Sequence, residues 1–223
     1  MIRRIFTAAL IMLIAVPSLV FGWGEVRKAR KFMKAGMYPQ AIAVLEQRIN
    51  DSPDDEDAHF ELGVCYIYTG NLSAADARFE SAVRLEPDYG YKIGVEYEKA
   101  GTEALKRGGV NRALTLFSKA VTYQPALRKE IAKKCFQAGV AALDRVPPED
   151  GNRSKSLFEA ACRYDPSLKE AAARKSYEKF KSLLEMATAQ NEDSGQSGIP
   201  HESLWFFDFS KACMGKSSVL TMS

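Results

Sequence analysis

The feature that most constrains the fold is a skeleton of small residues and prolines that recurs along the chain. In its clearest copy, over residues 58–87, Gly63 and Ala75 lie on the apolar stripes of two successive helices, and their small size would let those helices cross closely. Gly70 with Asn71 predicts the turn between the helices, and Pro87 predicts the end of the second helix. The stripe positions of this copy are Leu62, Gly63, Tyr66, Ala75, Phe79 and Ala82.

Three further copies keep the same skeleton and predict four helical hairpins in total. The upstream copy lies 34 residues earlier and consists of Gly36, Ala41, Leu45 and Pro53. The third copy follows after a step of 38 residues, with four inserted near residues 88–91, and consists of Gly101, Ala104, Gly108, Ala113, Phe117, Ala120 and Pro125. The fourth follows after a step of 41, with a longer loop predicted at residues 146–151, and consists of Gly139, Ala142, Phe158, Ala161 and Pro166.

This pattern and its 34-residue period resemble the tetratricopeptide repeat (TPR), with one departure at His59, where that family usually has a large aromatic residue. The resemblance implies an all-α fold, a right-handed α-solenoid of about four TPR helix hairpins with a C-terminal capping helix. The expected TPR domain covers residues 23–189, with repeats at about 23–54, 56–89, 90–127 and 128–166 and the cap at 167–189. Residues 190–223 are expected to form a flexible tail.

The N-terminal residues 1–22 have the pattern of a secretory signal peptide. Arg3 and Arg4 form a basic start, an apolar run follows from residue 5 to residue 21, and Gly22 is the expected cleavage position. Export to a bacterial periplasm or the outside of the cell follows from this interpretation. The alternative is an uncleaved membrane anchor, although the run is short and is interrupted by Pro17.

The chain lacks the motifs that would indicate an enzyme or a nucleic-acid-binding protein. Its two histidines, His59 and His201, are far apart in the sequence, and no phosphate-binding glycine loop, HExxH or CxxCH motif occurs. Loss of Arg3 and Arg4 with the signal leaves 29 basic against 28 acidic residues, which is no electrostatic footprint for nucleic acid. We therefore expect no catalytic site, no cofactor and no bound metal, and a packing role for His59.

The four cysteines are Cys65, Cys135, Cys162 and Cys213, and none has zinc-ligand spacing. Cys65 is expected to be a buried packing thiol. Cys135 and Cys162 lie at ends of neighbouring predicted helices that would meet, so an exported chain could join them by a disulfide. The alternative is two unbonded packing cysteines.

The TPR resemblance implies a concave groove, lined by the first helix of each repeat, that holds a peptide or a helix of a partner protein. The chain is therefore expected to be a non-catalytic interaction module or adaptor, with the partner's identity open. The alternative is a structural scaffold that self-associates into a homo-oligomer through its tail. The residues expected to face the groove are Arg30, Lys34, Phe60, Val64, Ile67, Tyr68, Thr102, Leu105, Lys106, Phe136, Val140 and Leu143.

The tail contains an aromatic cluster over residues 204–209, after a polar stretch with the composition of a linker. Four aromatic rings in six residues would be unfavourable in water, so we expect them to seek an apolar surface. The groove residues Phe60, Val64, Ile67 and Phe136, or the same surface of a second copy, would provide one. The alternative is a tail with no fixed binding site.

Overall fold

The computed structural model describes residues 24–143, 151–194 and 208–209. The described residues form α-helices joined by short turns, and none of them lies in a β-strand, which confirms the predicted all-α class. Helix α1 covers residues 24–34. The remaining helices are α2 (Tyr38–Asp51), α3 (Glu56–Thr69), α4 (Leu72–Leu85), α5 (Tyr89–Lys106), α6 (Val110–Tyr123), α7 (Arg128–Leu143), α8 (Gly151–Tyr164) and α9 (Lys169–Ser194). Short 3-10 turns at Pro125–Leu127 and Pro166–Leu168 lead into α7 and α9.

The chain divides into two compact units, residues 1–96 and residues 97–223, which we call unit 1 and unit 2. The boundary lies within α5. Unit 1 contains the hairpins α1–α2 and α3–α4 and the first part of α5, and unit 2 contains the rest of α5, the helices α6 to α8 and α9. The sequence predicted one domain over residues 23–189 and gave no indication of this division.

Unit 1 follows the predicted hairpin pattern closely. Gly70 ends α3 with a φ of 92°, a left-handed conformation that favours glycine, and the Asn71 side chain then caps α4 by accepting a hydrogen bond from the Ala74 backbone N–H. In the core of the hairpin, Gly63 and Ala75 are buried together with the fully buried Phe79. The turn and the small-residue crossing are therefore both where the sequence predicts them.

Unit 2 repeats the same contact twice. Cβ atoms built on Gly101 and Gly139 would lie 2.7 Å and 2.9 Å from the nearest ring atoms of Phe117 and Phe158. Real Cβ atoms essentially never come so close, so only glycine allows these pairs of helices to cross as they do. The periodic glycines of the sequence thus mark the crossing points of the helices.

Two helices are longer than the sequence predicted. The four residues inserted before the third repeat belong to α5, which has 18 residues where α3 has 14, so the insertion adds about one helical turn at its start. Helix α9 was expected to end near Ala189 but continues to Ser194, into the stretch interpreted as linker. Four regions lie outside the described residues: the signal peptide, the longer loop near residues 146–151 apart from Gly151, the residues His201 and Cys213, and all of the aromatic cluster except Asp208 and Phe209. No helix among the described residues is long and apolar enough to cross a membrane.

Candidate functional site

The residues expected to face a groove in α3 are mostly buried. Ile67 has no exposed surface, Val64 is 5% exposed, and Phe60 is 9% exposed. The Phe60 ring packs against Phe79 and Tyr89, with ring centroids 6.0 Å and 5.2 Å away. This burial differs from the exposure that the sequence predicted, because α3 packs against both α2 and α4 within unit 1. A stripe of apolar residues in the sequence does not indicate which of its members stay exposed. These three side chains belong to the core of unit 1.

The polar and aromatic residues expected in unit 1 are accessible, but two of them have partners within the unit. Arg30 donates from Nε to Glu61 Oε1 at 2.5 Å and from Nη2 to Asp57 Oδ1 at 3.2 Å. Tyr68 is 37% exposed and stacks on Tyr38, with centroids 5.2 Å apart and planes 5° from parallel. Lys34 is exposed.

A charged cleft of about 620 Å³ lies beside Arg30 in unit 1. Its lining consists of Val26, Arg30, Arg48, Ser52, Pro53, Asp54, Asp55, Glu56 and Asp57. Arg48 is paired with Asp55 at 2.6 Å, and Asp57 accepts hydrogen bonds from Arg30 and from the Tyr89 hydroxyl. Burial raises the pKa of the neighbouring Glu61 above its ordinary range, against the opposing effect of Arg30. Both arginines and two of the carboxylates are thus engaged in holding α1, α2, α3 and α5 together.

In unit 2, the expected residues of α5 and the end of α7 present little apolar surface. Thr102 donates a hydrogen bond to Glu98 at 2.7 Å, and the exposed Lys106 lies 3.7 Å from Glu103. Leu105 is half-buried beside a small pocket of about 100 Å³. Leu143 is 6% exposed and belongs to the core, again in contrast to the sequence-based expectation.

An open groove lies between α7 and α9 of unit 2. A groove of about 520 Å³ is lined by Phe136, Ser167, Glu170, Ala171, Arg174, Lys175 and Glu178. Its charged residues pair with each other, Arg174 with Glu170 at 3.2 Å and Lys175 with Glu178 at 2.8 Å. Phe136 is the aromatic residue of this lining, and it is half-buried. The groove therefore combines the apolar side chains of Phe136 and Ala171 with charged side chains that neutralise each other.

Phe136 also belongs to an aromatic cluster that includes a residue of the tail. The rings of Phe136 and the fully buried Phe158 are 5.6 Å apart and tilted by 53°. The Phe209 ring stacks on Phe158, with ring centroids 6.1 Å apart and ring planes 24° from parallel. We call the half-buried residues around this contact the socket; they are Phe136, Val140, Phe180 and Leu183.

Sequence reasoning identified only half of the socket. Phe136 and Val140 were expected in the groove, whereas Phe180 and Leu183 were not, because α9 was interpreted as a polar cap. The signal was present, since Phe180 and Leu183 are apolar residues three apart on a helix that is otherwise rich in charge. The structure brings Phe136, Val140 and Phe209 into one cluster in unit 2.

The cysteines and the histidine that the structure describes, Cys65, Cys135, Cys162 and His59, are buried. No disulfide joins Cys135 to Cys162, because Cys135 is an unbonded thiol. Burial raises the pKa of both Cys65 and Cys135 to about 12. His59 is 5% exposed, and its Nε2 lies 2.9 Å from the Pro53 carbonyl oxygen, in keeping with the expected packing role. Within the described ranges, no group of three or more His, Cys, Asp or Glu side chains could hold a metal ion.

Comparison with known proteins gives one family match and several partial similarities. The family model described as tetratricopeptide repeat matches residues 32–91. Tetratricopeptide repeat protein 16 of Mus musculus is 30% identical over 93 residues, which are 40% of this chain. Superkiller complex protein 3 of Homo sapiens is 26% identical over 109 residues, or 48% of this chain. The matched parts cover only 12% and 6% of those two proteins.

Two solved structures are similar over most of their lengths. One is YrrB, described as a TPR protein with an unusual peptide-binding site: it is 17% identical, with a TM-score of 0.36, and the match covers 89% of this chain and 88% of that one. The other is MamA AMB-1, which is 21% identical with a TM-score of 0.36 and covers 91% of this chain and 97% of its own.

Proposed function

We propose that this chain, which is a tetratricopeptide-repeat protein, is a non-catalytic module that binds a peptide segment of another protein in the groove between α7 and α9. The observation that carries the proposal is the half-buried Phe136 in the lining of that groove. An aromatic side chain in a concave surface can bury a large apolar area of a ligand, and such residues commonly dominate binding.

The rim of the groove supports the same function. Glu170, Arg174, Lys175 and Glu178 are exposed and paired in two ion pairs across single turns of α9. Exposed pairs of this kind contribute little to stability, so a ligand can exchange them for its own charged groups at low cost. An apolar centre with a polar rim is the usual anatomy of a protein interface.

Unit 1 fits this function less well. Phe60, Val64 and Ile67 are in its core, and Arg30 is held by Asp57 and Glu61. A ligand on this surface would have to break those ion pairs, one of which includes a carboxylate that is mostly buried, and breaking such pairs is costly. We therefore locate the principal binding surface in unit 2.

The proposal can be tested by selecting peptides from a random library on the purified chain and measuring their affinities for variants. Phe136→Ala should weaken the selected peptides at least tenfold. Tyr91→Ala is the matched control, because Tyr91 is an aromatic residue of unit 1 that is 62% exposed. The selected peptides should bind this variant as tightly as they bind the wild type. Peptides that bind Phe136→Ala and the wild type equally would contradict the location of the site.

A second pair of variants guards against a folding defect in Phe136→Ala. Reversing the rim charges with Arg174→Glu and Lys175→Glu leaves Phe136 and its packing in place, and it should change the charge preference of the selected peptides. Circular dichroism and thermal melting should match the wild type. If analytical ultracentrifugation shows dimers or larger species, and peptide binding falls as these species form, the self-associating scaffold is favoured instead.

We propose that the protein acts after export, in a bacterial periplasm or outside the cell. The basic start and apolar run of residues 1–22 support this placement. Expression of the full chain in a bacterial host, followed by N-terminal sequencing of the protein in the periplasmic or culture fraction, should give Trp23 as the first residue. Recovery of the uncleaved chain from the membrane fraction would favour an N-terminal anchor.

A further inference from the structure

We propose that α1 carries a second interaction surface, which attaches the protein reversibly to a membrane that contains anionic phospholipids. The surface consists of three exposed basic residues, Arg27, Lys31 and Lys34, which we call the basic stripe. It belongs to unit 1 and shares no residue with the lining of the groove in unit 2. The inference therefore goes beyond peptide binding and can fail or hold separately from it.

The spacing of these residues places them on one side of α1. Positions three and four apart are neighbours on a helix surface, so the side chains of Arg27, Lys31 and Lys34 lie next to each other. Ala29, on the opposite side, has no exposed surface and packs in the core of unit 1. Glu25, the acidic residue of α1, is two positions from Arg27 and faces away from the stripe. The solvent-facing side of α1 therefore carries basic residues and no acidic one.

The protein itself does not neutralise the basic stripe. Among the residues whose side chains the structure describes, no carboxylate forms an ion pair with any of the three. Arg30, on the same helix, is by contrast paired with Asp57 and Glu61. Neighbouring like charges on a helix repel each other, so a ligand with several negative charges would stabilise this surface.

The hairpin of α1 and α2 differs in charge from the rest of the chain. Residues 24–50 contain six basic residues against two acidic ones, whereas residues 51–223 contain 23 basic against 26 acidic. The positive charge is thus concentrated in the first hairpin. Such a distribution directs one part of the protein toward an anionic surface while the net charge of the whole stays small.

An anionic bilayer fits this surface better than a single anion or a nucleic acid does. The stripe spans seven positions, or about 10 Å of helix, so one phosphate group cannot contact all three residues. A bilayer presents a plane of headgroups, and each Lys or Arg near its surface contributes about fivefold in affinity. A nucleic acid would also meet the net negative charge of residues 51–223, and the proposed export would take the chain away from it.

The test measures co-sedimentation of the chain with vesicles. Vesicles of phosphatidylcholine and phosphatidylglycerol at about two to one are compared with vesicles of phosphatidylcholine alone. The triple variant Arg27→Gln, Lys31→Gln, Lys34→Gln should bind the anionic vesicles roughly a hundredfold more weakly than the wild type, since each residue contributes about fivefold. Salt at about 1 M, which shortens the Debye length to about 3 Å, should release the wild type.

The matched control is Lys129→Gln, Lys133→Gln, Lys181→Gln, which removes three exposed lysines of unit 2 and therefore the same net charge. It should bind the anionic vesicles nearly as tightly as the wild type. All three proteins are prepared in the same processed form, so that residues 1–22 contribute equally whether they are cleaved or retained. Thermal melting and the affinity for the library-selected peptides should be unchanged in both triple variants.

Equal losses in the two triple variants would overturn the inference, because net charge alone would then govern binding. Equal binding of the wild type to anionic and neutral vesicles would also overturn it. Two competitors identify other ligands, and complete release by either one contradicts a membrane surface. A short DNA duplex at equal phosphate concentration would reveal a nucleic-acid surface, and free glycerol 3-phosphate would reveal a site for a single anion.

A second measurement uses the wild type and does not depend on the folding of any variant. Lysines are acetylated with a water-soluble reagent in the presence and absence of anionic vesicles, and the modified positions are mapped by mass spectrometry. Bound vesicles should slow the acetylation of Lys31 and Lys34 several-fold and leave the rates at Lys129 and Lys133 unchanged. Unchanged rates at Lys31 and Lys34 on vesicle-bound protein would show that another part of the chain contacts the lipid, contrary to the inference.

Discussion

A Cβ atom built on Gly63 would lie 2.5 Å from Cε1 of the Phe79 ring. The Phe79 ring is fully buried and fills the space that the missing side chain leaves between α3 and α4. The corresponding positions 34 residues earlier hold Ala29 and Leu45, both fully buried in one cluster. A larger residue on the first helix is therefore matched there by a smaller one on the second.

We expect Gly63→Ala to lower the free energy of unfolding by about 1–3 kcal/mol, because the added methyl group overpacks a core that cannot yield. Gly90→Ala is the matched control. Gly90 also lies in a helix, but nothing is within 4 Å of its built Cβ, so alanine there should be neutral or stabilise by up to about 1 kcal/mol. Urea denaturation of both variants measures the difference.

The pairing of Ala29 with Leu45 supplies a rescue of Gly63→Ala. Phe79→Leu in the same chain restores space for the methyl group, so the double variant should lose less stability than the sum of the two single variants. Additive losses would mean that Gly63 and Phe79 do not constrain each other. The loss in Gly63→Ala would then have a cause other than contact with Phe79, and the loss in Phe79→Leu would come only from the cavity that the smaller side chain leaves.

Ile67→Ala should lower the free energy of unfolding by about 2–5 kcal/mol, as expected for a fully buried aliphatic side chain. Tyr68→Ala, at the next position and with 37% of the residue exposed, should cost much less. Thermal melting compares the two. If Ile67→Ala melts like the wild type but binds the selected peptides more weakly, Ile67 contributes to peptide binding and not to the core.

Cys65 and Cys135 should resist alkylation in the folded protein. Burial raises both pKa values to about 12, so at pH 8 almost no thiolate is present, and the side chains are also inaccessible. Iodoacetamide labelling mapped by mass spectrometry should modify both residues rapidly in 8 M urea and at least a hundredfold more slowly without it. Rapid native labelling of either residue would contradict its burial.

Tyr89→Phe should destabilise the protein by about 1–3 kcal/mol at neutral pH, because it removes the hydrogen bond that the Tyr89 hydroxyl donates to Asp57. Burial, followed by the interaction with Asp57, raises the pKa of Tyr89 in the folded state. The unfolded chain therefore loses this proton first as the pH rises, and the stabilising contribution is lost progressively above about pH 10.

The measurement is the difference in unfolding free energy between the wild type and Tyr89→Phe as a function of pH. It should be constant between pH 7 and pH 9 and should shrink above pH 10. Comparing the two proteins at each pH cancels the titration of the lysines they share. A difference that grows in alkaline solution would show that the folded-state pKa is lowered instead.

The hairpins could be predicted because their determinants are local. Gly70 needs a left-handed backbone, Asn71 caps the next helix, and Gly63 must be small, so each requirement leaves its mark at one position. The division of the chain within α5 had no such mark, because it depends on the packing of whole helices and not on any single residue. The end of α9 was misplaced for a related reason: Asn191, Asp193 and Ser194 are weak helix formers, but the helix continues through them.

The site was harder to predict than the fold. Helical periodicity places Phe60, Ile67 and Phe136 on equivalent stripes, yet only Phe136 remains half-open. Phe60 is covered by Tyr89, which is supplied by the extra turn at the start of α5, whereas Phe136 faces α9 and the groove. An inserted turn in a neighbouring helix thus decides which of two equivalent phenylalanines is accessible, and that depends on three-dimensional packing.

The glycine–phenylalanine contacts also bear on how quickly the chain reaches its native state. Gly63 meets Phe79 and Gly101 meets Phe117, each across sixteen positions, and Gly139 meets Phe158 across nineteen. Closing loops of this length takes on the order of 0.1 µs, and proteins dominated by such near-neighbour contacts fold in microseconds to milliseconds. Each hairpin is thus able to form its defining contact before the chain emerging behind it is complete.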